Sequence, residues 1–298
     1  MVTYQYTSET ELRKALLDEI VKAVGLPISN FWRKFVEVVF WVPISRFSKL
    51  GSYFDQMTFQ YGFNKAVDIS LKLLVQDIRV LGEIKAPPNG PLLVVSNHPG
   101  TYDALCLAAK LPRDDVKIVS SNIPFLKKMK NVNDHFLFGS VDSYVRMLVI
   151  RNAVRHLERG GAVIIFPSGH MDPEPAFMPG AMQALDEWSK SMEIFIGKVP
   201  ETTVQVAVVS KVLTPRYLGH PLTCVRKGRR ERQRIAEFLQ IINQMVYRKK
   251  FNQIPLVSFA EPFKLQDISP QKDINMLLPH AVAQARVLMR DHISSGYA

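Results

Sequence analysis

The chain has 298 residues, 47% of them hydrophobic and 22% charged, with a mean hydropathy of +0.01. This composition excludes a disordered tail and a polytopic membrane protein, since no window offers the ~20 uninterrupted apolar residues a span requires. The net charge of +11 is concentrated between Arg216 and Lys250, where ten basic residues stand against Glu231 and Glu237. The sequence shows no Cys/His finger and no RRM-type aromatic motif, so the expected polyanion is anionic lipid and not nucleic acid. Cys106 and Cys224 form no CxxC, which indicates neither a disulfide framework nor a zinc site and points to a reducing compartment. The start, Met1-Val2-Thr3-Tyr4, lacks the basic and apolar regions of a secretory signal, so the expected location is the cytoplasmic side.

In chain order, residues 30–42 come first, with polar residues only at Asn30, Arg33, Lys34 and Glu37, a narrow wedge on an otherwise apolar helix. At 1.5 Å per residue this helix reaches roughly 20 Å before Pro43 stops it, too short to cross a bilayer core of roughly 30 Å. It is expected to lie in a membrane interface, with Phe31, Trp32, Phe35, Phe40 and Trp41 at the headgroup boundary and Arg33 and Lys34 near phosphates. Burial within the protein's own core is the competing reading. A second helix over about Tyr53 to Gln76 completes an N-terminal helical region, 1–84.

After the turn Ala86-Pro87-Pro88-Asn89-Gly90, short apolar runs alternate with helix-length segments over 85–298. Strands are expected at Leu92–Ser96, Lys117–Ser120, Ala162–Phe166, Val204–Ser210 and Leu256–Phe259. Helices are expected at Tyr102–Lys110, Val145–Arg159, Met178–Ser191, Arg230–Tyr247 and Ile274–His292. The fold class is therefore α/β, a mixed central sheet flanked by helices, with an N-terminal membrane-docking arm.

The first strand ends in Asn97-His98-Pro99-Gly100-Thr101-Tyr102-Asp103. Thr101 suits an N-cap, and Asp103 falls in the first helical turn, where the helix dipole favours a carboxylate. The Pro99-Gly100 turn folds His98 back over Asp103, giving an imidazole held by a carboxylate, the arrangement of a general base. A second strand ends in Phe166-Pro167-Ser168-Gly169-His170, again at a carboxyl end, where open α/β sheets bind ligands.

These residues resemble the glycerolipid acyltransferase family of the lysophosphatidate type. Asn97, His98 and Asp103 match its first block, and Phe166-Pro167-Ser168-Gly169-His170-Met171 partly matches its third, Phe-Pro-Glu-Gly-Thr-Arg. Ser121-Asn122-Ile123-Pro124-Phe125 and Leu157-Glu158-Arg159-Gly160-Gly161 also look like family segments, and the resemblance spans roughly Pro91 to Ser210.

What it implies is acyl transfer from acyl-CoA or acyl-ACP, as co-substrate, to a hydroxyl of a lysophospholipid, with no cofactor and no metal. His98 would be the base and Asp103 its orienting partner. Asn97, Gly100, Thr101, Phe166, Pro167, Ser168, Gly169, His170 and Arg146 would bind substrate, and backbone N–H groups near Gly100 or Ser168-Gly169 would stabilise the oxyanion. The implied location is peripheral, on the cytoplasmic face of a membrane, with anionic lipids as partners.

Three positions depart from the pattern: Ser168 for the third-block glutamate, Met171 for the arginine, and Asp142-Ser143 for the second-block Asp-Arg pair, with Arg146 the nearest substitute. The phosphate end of the acceptor would therefore be held differently, by Arg146 or by His170, Glu174, Lys211 or Arg216. Two other readings are a non-catalytic lipid-binding relative and a hydrolase with Ser168 as nucleophile and His98 as its base. The second lacks a Gly-x-Ser-x-Gly elbow.

Overall fold

The computed structural model describes residues 7–24, 29–247 and 253–297. The first residues of the chain and Arg248, Lys249 and Lys250 of the basic region lie outside them. Four helices open the chain: α1 (Glu9–Val24), α2 (Asn30–Val39), α3 (Trp41–Tyr61) and α4 (Phe63–Leu71). Then follow β1 (Arg79–Leu81), β2 (Leu92–Ser96), α5 (Asp103–Lys110), β3 (Val116–Ser121), α6 (Pro124–Lys128), β4 (Phe136–Gly139), α7 (Ser143–Glu158) and β5 (Ala162–Ile165). The rest comprises α8 (Ala181–Ala184), α9 (Ser191–Lys198), β6 (Thr203–Ser210), α10 (Pro215–Leu218), α11 (Arg229–Tyr247), β7 (Leu256–Phe259), α12 (Leu265–Ile268) and α13 (Leu277–Ser294).

The strands form one sheet in the order β1-β7-β6-β2-β5-β3-β4. Strand β2 lies parallel to β5 on one side and β6 on the other, while β7 runs antiparallel to β6. The sheet is thus mixed, as the alternation of elements led us to expect. The period of two in a strand sends alternate side chains to opposite faces. Leu92 and Val94 join a core with α4 and α5, whereas Leu93 and Val95 join a second core with α7, α9 and α13.

Contacts cross the boundary expected at residue 84. β1 precedes it and pairs with β7. Phe63, Ala66, Val67 and Leu71 of α4 pack into the same core as β2. On α3, the buried Asp55 carboxylate accepts from the backbone N–H groups of Asn131 (2.7 Å) and Val132 (2.9 Å). The last two helices of the N-terminal region are a layer of the α/β fold and not a separate arm.

Pro43 does not end the first helix either. α2 stops at Val39, and Pro43 sits in the first turn of α3, where its missing N–H costs nothing. The expected helix 53–76 is instead the end of α3 and all of α4, divided at Gly62, whose φ of +82° suits glycine. The helix expected over Met178–Ser191 is only the single turn of α8 followed by a 3₁₀ turn.

On α2 only Val36 is buried. Phe31, Phe35, Val38 and Val39 are exposed, with Val38 at 79%, and Trp41 and Val42 follow on α3. Arg33 pairs with Asp18 of α1, Trp32 is half-buried edge-on to Phe31 and Phe35, and Phe40 packs 5.9 Å from Phe238 of α11. The apolar face of this helix therefore looks outward, which contradicts burial in the core, and Arg33 and Phe40 belong to its inner side.

At the other end of the chain, the imidazole of His292 on α13 is fully buried between Ser210 Oγ (2.6 Å, at Nδ1) and Ser258 Oγ (2.6 Å, at Nε2). Burial, aided by Lys211, pushes its pKa down to about 3. The unfolded chain takes up a proton below pH ~6.5 that the fold refuses, so this site's stabilisation falls as the pH drops from there towards 3. Between pH 6.5 and 5 the loss is about 2 kcal/mol. Urea unfolding of the wild type and His292→Gln at both pH values will show a loss smaller by about that amount in the variant.

Candidate active site

The site is built where β2, β5 and β6 end side by side. β2 terminates at Ser96, and Pro99-Gly100 turns the chain into α5. The helix begins one residue later than expected, with Tyr102 and not Thr101 at the cap position and no side-chain cap bond. Asp103 supplies the cap from inside: its Oδ2 accepts from Gly100 N–H (3.1 Å) and its Oδ1 from Ala104 N–H (2.6 Å). The same Oδ2 lies 2.8 Å from His98 Nδ1.

Asp103 is fully buried while the His98 side chain retains 31% exposure. The carboxylate fixes the proton on Nδ1, which leaves Nε2 able to accept one. Burial alone would lower the imidazole's pKa. The attraction and hydrogen bond of Asp103, with Glu237 and Asp172 farther off, outweigh it and raise the ring to about 9.

The remaining supports come from far along the chain. The ring of Phe166, just past β5, stacks on His98 at 4.6 Å. Asp172 Oδ2 accepts from His98 N–H (2.9 Å), and Asp172 N–H donates to the His98 carbonyl (2.8 Å), a two-way clamp on the backbone of His98. Gln233 of α11, 1% exposed, donates through Nε2 to the carbonyls of Pro99 and Asp172, both at 2.7 Å. One turn on, Glu237 accepts from Thr101 N–H.

Glu174, fully buried, accepts from the N–H groups of Lys211 (2.7 Å), Val212 (3.1 Å) and Leu213 (3.3 Å), the loop that leaves β6. Burial outweighs these donors and pushes its carboxyl up to about 7. Sequence reasoning missed Asp172, Gln233 and Glu237. The available signal was the spacing of Gln233, Glu237, Gln240 and Gln244, a polar stripe at i, i+4, i+7 and i+11 on a helix otherwise read for its arginines.

Several residues expected at the substrate make bonds within the scaffold. Asn97 is 1% exposed, and its amide reaches the backbone of Val209 on β6 in both directions, giving at 2.9 Å and accepting at 2.8 Å. The Pro167 carbonyl accepts from Ser189 N–H and Oγ. Gly100 is buried, and a Cβ there would lie 3.1 Å from Glu237 and Val212.

His170 Nε2 stands 2.8 Å from Glu187 and 2.7 Å from Arg230. Gly169 takes a φ of +68° and donates to the Phe166 carbonyl. Thr101 is exposed at the rim. Arg146 is exposed on the first turn of α7, the helix that follows the edge strand β4, and no bond joins it to His98 or Asp103 among the described residues.

Ser168 Oγ faces the His170 carbonyl (2.9 Å) and Asp172 Oδ2 (3.2 Å). A hydroxyl so engaged is turned to structural partners and not to the imidazole of His98, which removes the basis of the hydrolase reading. Among the oxyanion donors considered, Gly100 N–H serves Asp103 and Gly169 N–H serves Phe166, so Ser168 N–H is the uncommitted one among the described residues.

Residues 77–193 match the family model described as Acyltransferase. This stretch holds His98, Asp103, Phe166 and Asp172. Over this stretch the chain is similar to acyltransferases. A solved structure similar to it is the crystal structure of the 1-acyl-sn-glycerophosphate (LPA) acyltransferase PlsC from Thermotoga maritima, with 14% identity, 95% of each chain covered and a TM-score of 0.45. The acyltransferase match ends before β6, so the Glu174-held loop at Lys211–Leu213 and all of α11 lie beyond the matched segment although both pack on its His98 turn.

Proposed function

We propose that the protein moves a fatty acyl group from the thioester of acyl-CoA or acyl-ACP to a hydroxyl of a lysophospholipid or related glycerolipid, without a cofactor. The observation that carries this reading is the His98–Asp103 pair, clamped at a strand end inside the acyltransferase-matched segment. His98 Nε2 takes the acceptor's proton as its oxygen attacks the thioester carbonyl. Of the backbone donors considered for the oxyanion, Ser168 N–H is the uncommitted one. Collapse breaks the C–S bond, and the thiolate recovers the proton from the imidazolium, releasing ester and free thiol. Asp103 stabilises the imidazolium between the two transfers.

The test is thiol release from long-chain acyl-CoA and acyl-ACP in mixed micelles, with a panel of lysophospholipids and a His98→Ala variant. Acceptor-dependent release that disappears in the variant supports transfer and names the headgroup. No release with any acceptor, from folded protein that still binds vesicles, favours the non-catalytic lipid-binding reading.

The same reading places the protein peripherally on the cytoplasmic face of a membrane, resting on the exposed face of α2 and the start of α3. No helix among the described residues is long and apolar enough to cross a membrane. Each aromatic withdrawn from water contributes roughly 1.5–3 kcal/mol. Phe31→Glu with Phe35→Glu will therefore weaken cosedimentation with anionic vesicles at least about tenfold. Because both side chains are exposed, the melting temperature will stay within a few degrees of wild type. A large drop in melting temperature would instead show that these rings support the fold.

A further inference from the structure

The basic residues around α11 do not make a uniform solvated surface. An open cleft of about 450 Å³ lies at the N-terminal end of this helix, lined by Lys227, Arg229, Arg232 and Gln233 together with Phe177 and Leu218. Arg230, which points elsewhere, is paired with Glu187. Among the described residues, no carboxylate stands within the 4.0 Å of an ion pair from Lys227, Arg229 or Arg232. Arg229 is half-buried, and burial first, then the neighbouring Arg230, work against its charge. Its only side-chain hydrogen bond among the described residues is to Gln233 Oε1 at 3.4 Å, while Arg232 reaches Cys224 Sγ.

Three cations that line one cleft, none in an ion pair among the described residues although Asp172 and Glu187 lie near enough to support the charge of Arg229, are complementary, beside Phe177 and Leu218, to a phosphate group attached to a carbon skeleton. The cleft also adjoins the catalytic turn: Gln233 lines it and at the same time bonds the carbonyls of Pro99 and Asp172. Arg229 lies one helical turn, about 6 Å along the axis, from that residue.

Resting on the acyl-transfer reading, we infer that this cleft is the phosphate-recognition subsite of the reaction, supplied by Lys227, Arg229 and Arg232 in place of the arginine that Met171 replaces in the third block. Met171 is itself buried and offers no charge. The phosphate comes either from the nucleotide end of CoA or from the headgroup of a lysophosphatidate, and the same chemistry recognises both.

The test measures binding of each ligand alone, so that no turnover occurs, by calorimetry with CoA and with a short-chain lysophosphatidate below its micellar concentration. Lys227→Ala/Arg229→Ala/Arg232→Ala is compared with Arg151→Ala/Arg155→Ala/Lys198→Ala, which removes equal charge elsewhere. A tenfold or larger rise in Kd for CoA only in the first triple assigns the cleft to the donor, and the same rise for lysophosphatidate assigns it to the acceptor. Unchanged Kd for both ligands, or equal weakening by both triples, overturns the inference.

Lys227→Glu, a single exposed replacement, repeats the measurement should the triple unfold on thermal denaturation. The readouts separate the two readings. Weakened phosphate binding in a protein that releases no thiol with any acceptor keeps the cleft and discards acyl transfer, whereas robust transfer with unaltered binding and KM does the reverse.

Discussion

Replacing His98 by Gln will lower kcat/KM for acyl transfer by roughly 10²–10⁴-fold while the protein keeps its fold and its affinity for vesicles. The size follows from removing a positioned base whose Nδ1 is already fixed by Asp103 at 2.8 Å. The pH profile gives a sharper test than the loss itself. With the imidazole raised to about 9, the free base is the minor form at neutral pH, so log kcat/KM will climb with a slope near one until about pH 9.

Asp103→Asn removes the largest influence holding the pKa up and leaves burial, which pulls it down. The rising limb will then move below its wild-type position by two units or more, and the plateau will be lower, because an amide does not stabilise the imidazolium. An unchanged limb in Asp103→Asn would assign the titration to another group, and full activity in His98→Gln would remove this residue from the chemistry.

Glu174→Ala will destabilise the fold by about 3 kcal/mol at pH 6, since each buried donor left without an acceptor costs roughly 1–3 kcal/mol. The donors are the N–H groups of Lys211, Val212 and Leu213, and Lys211 is held at a φ of +58° that a side chain adopts only under constraint. The second effect is functional: Val212 packs against Gly100, so release of this loop loosens the turn that carries His98, and kcat will fall more than KM changes. Denaturant unfolding and steady-state kinetics on the same preparation check both. A midpoint equal to wild type would mean that water replaces the carboxylate without loss.

Local signals made much of this legible beforehand. β2, β5, β6 and β7 are continuous apolar runs because both faces of the sheet are covered, and continuous runs announce themselves. β1 and β4 were missed because both are short edge strands, and the three residues Arg79–Leu81 become a strand only by pairing with β7, about 175 positions away in sequence.

The contact of His98 with Asp103 was readable for the same reason: the two are neighbours across one turn. Asp172, Glu174 and Gln233 act on that turn from remote segments, and nothing in their local sequence says that their polar atoms meet backbone groups there. The exposed face of α2 could not be separated from a buried one by periodicity, because an almost wholly apolar helix fits either environment. The pairing of Arg33 with Asp18 and the packing of Phe40 on Phe238 decide which side is inner.

Helix α11 touches three regions at once. Near its C-terminus the carbonyls of Met245 and Val246 accept from Arg46 of α3, both at 2.7 Å. Towards its start Gln233 holds the catalytic turn, and its first turn borders the basic cleft. Nineteen residues span about 28 Å. On the proposed membrane-docked reading, the distance from the surface under α2 and α3 to the turn that carries His98 would be set by the part of this helix between Gln233 and its contacts with Phe40 and Arg46, so inserting one turn there would change which acceptor hydroxyls come within reach.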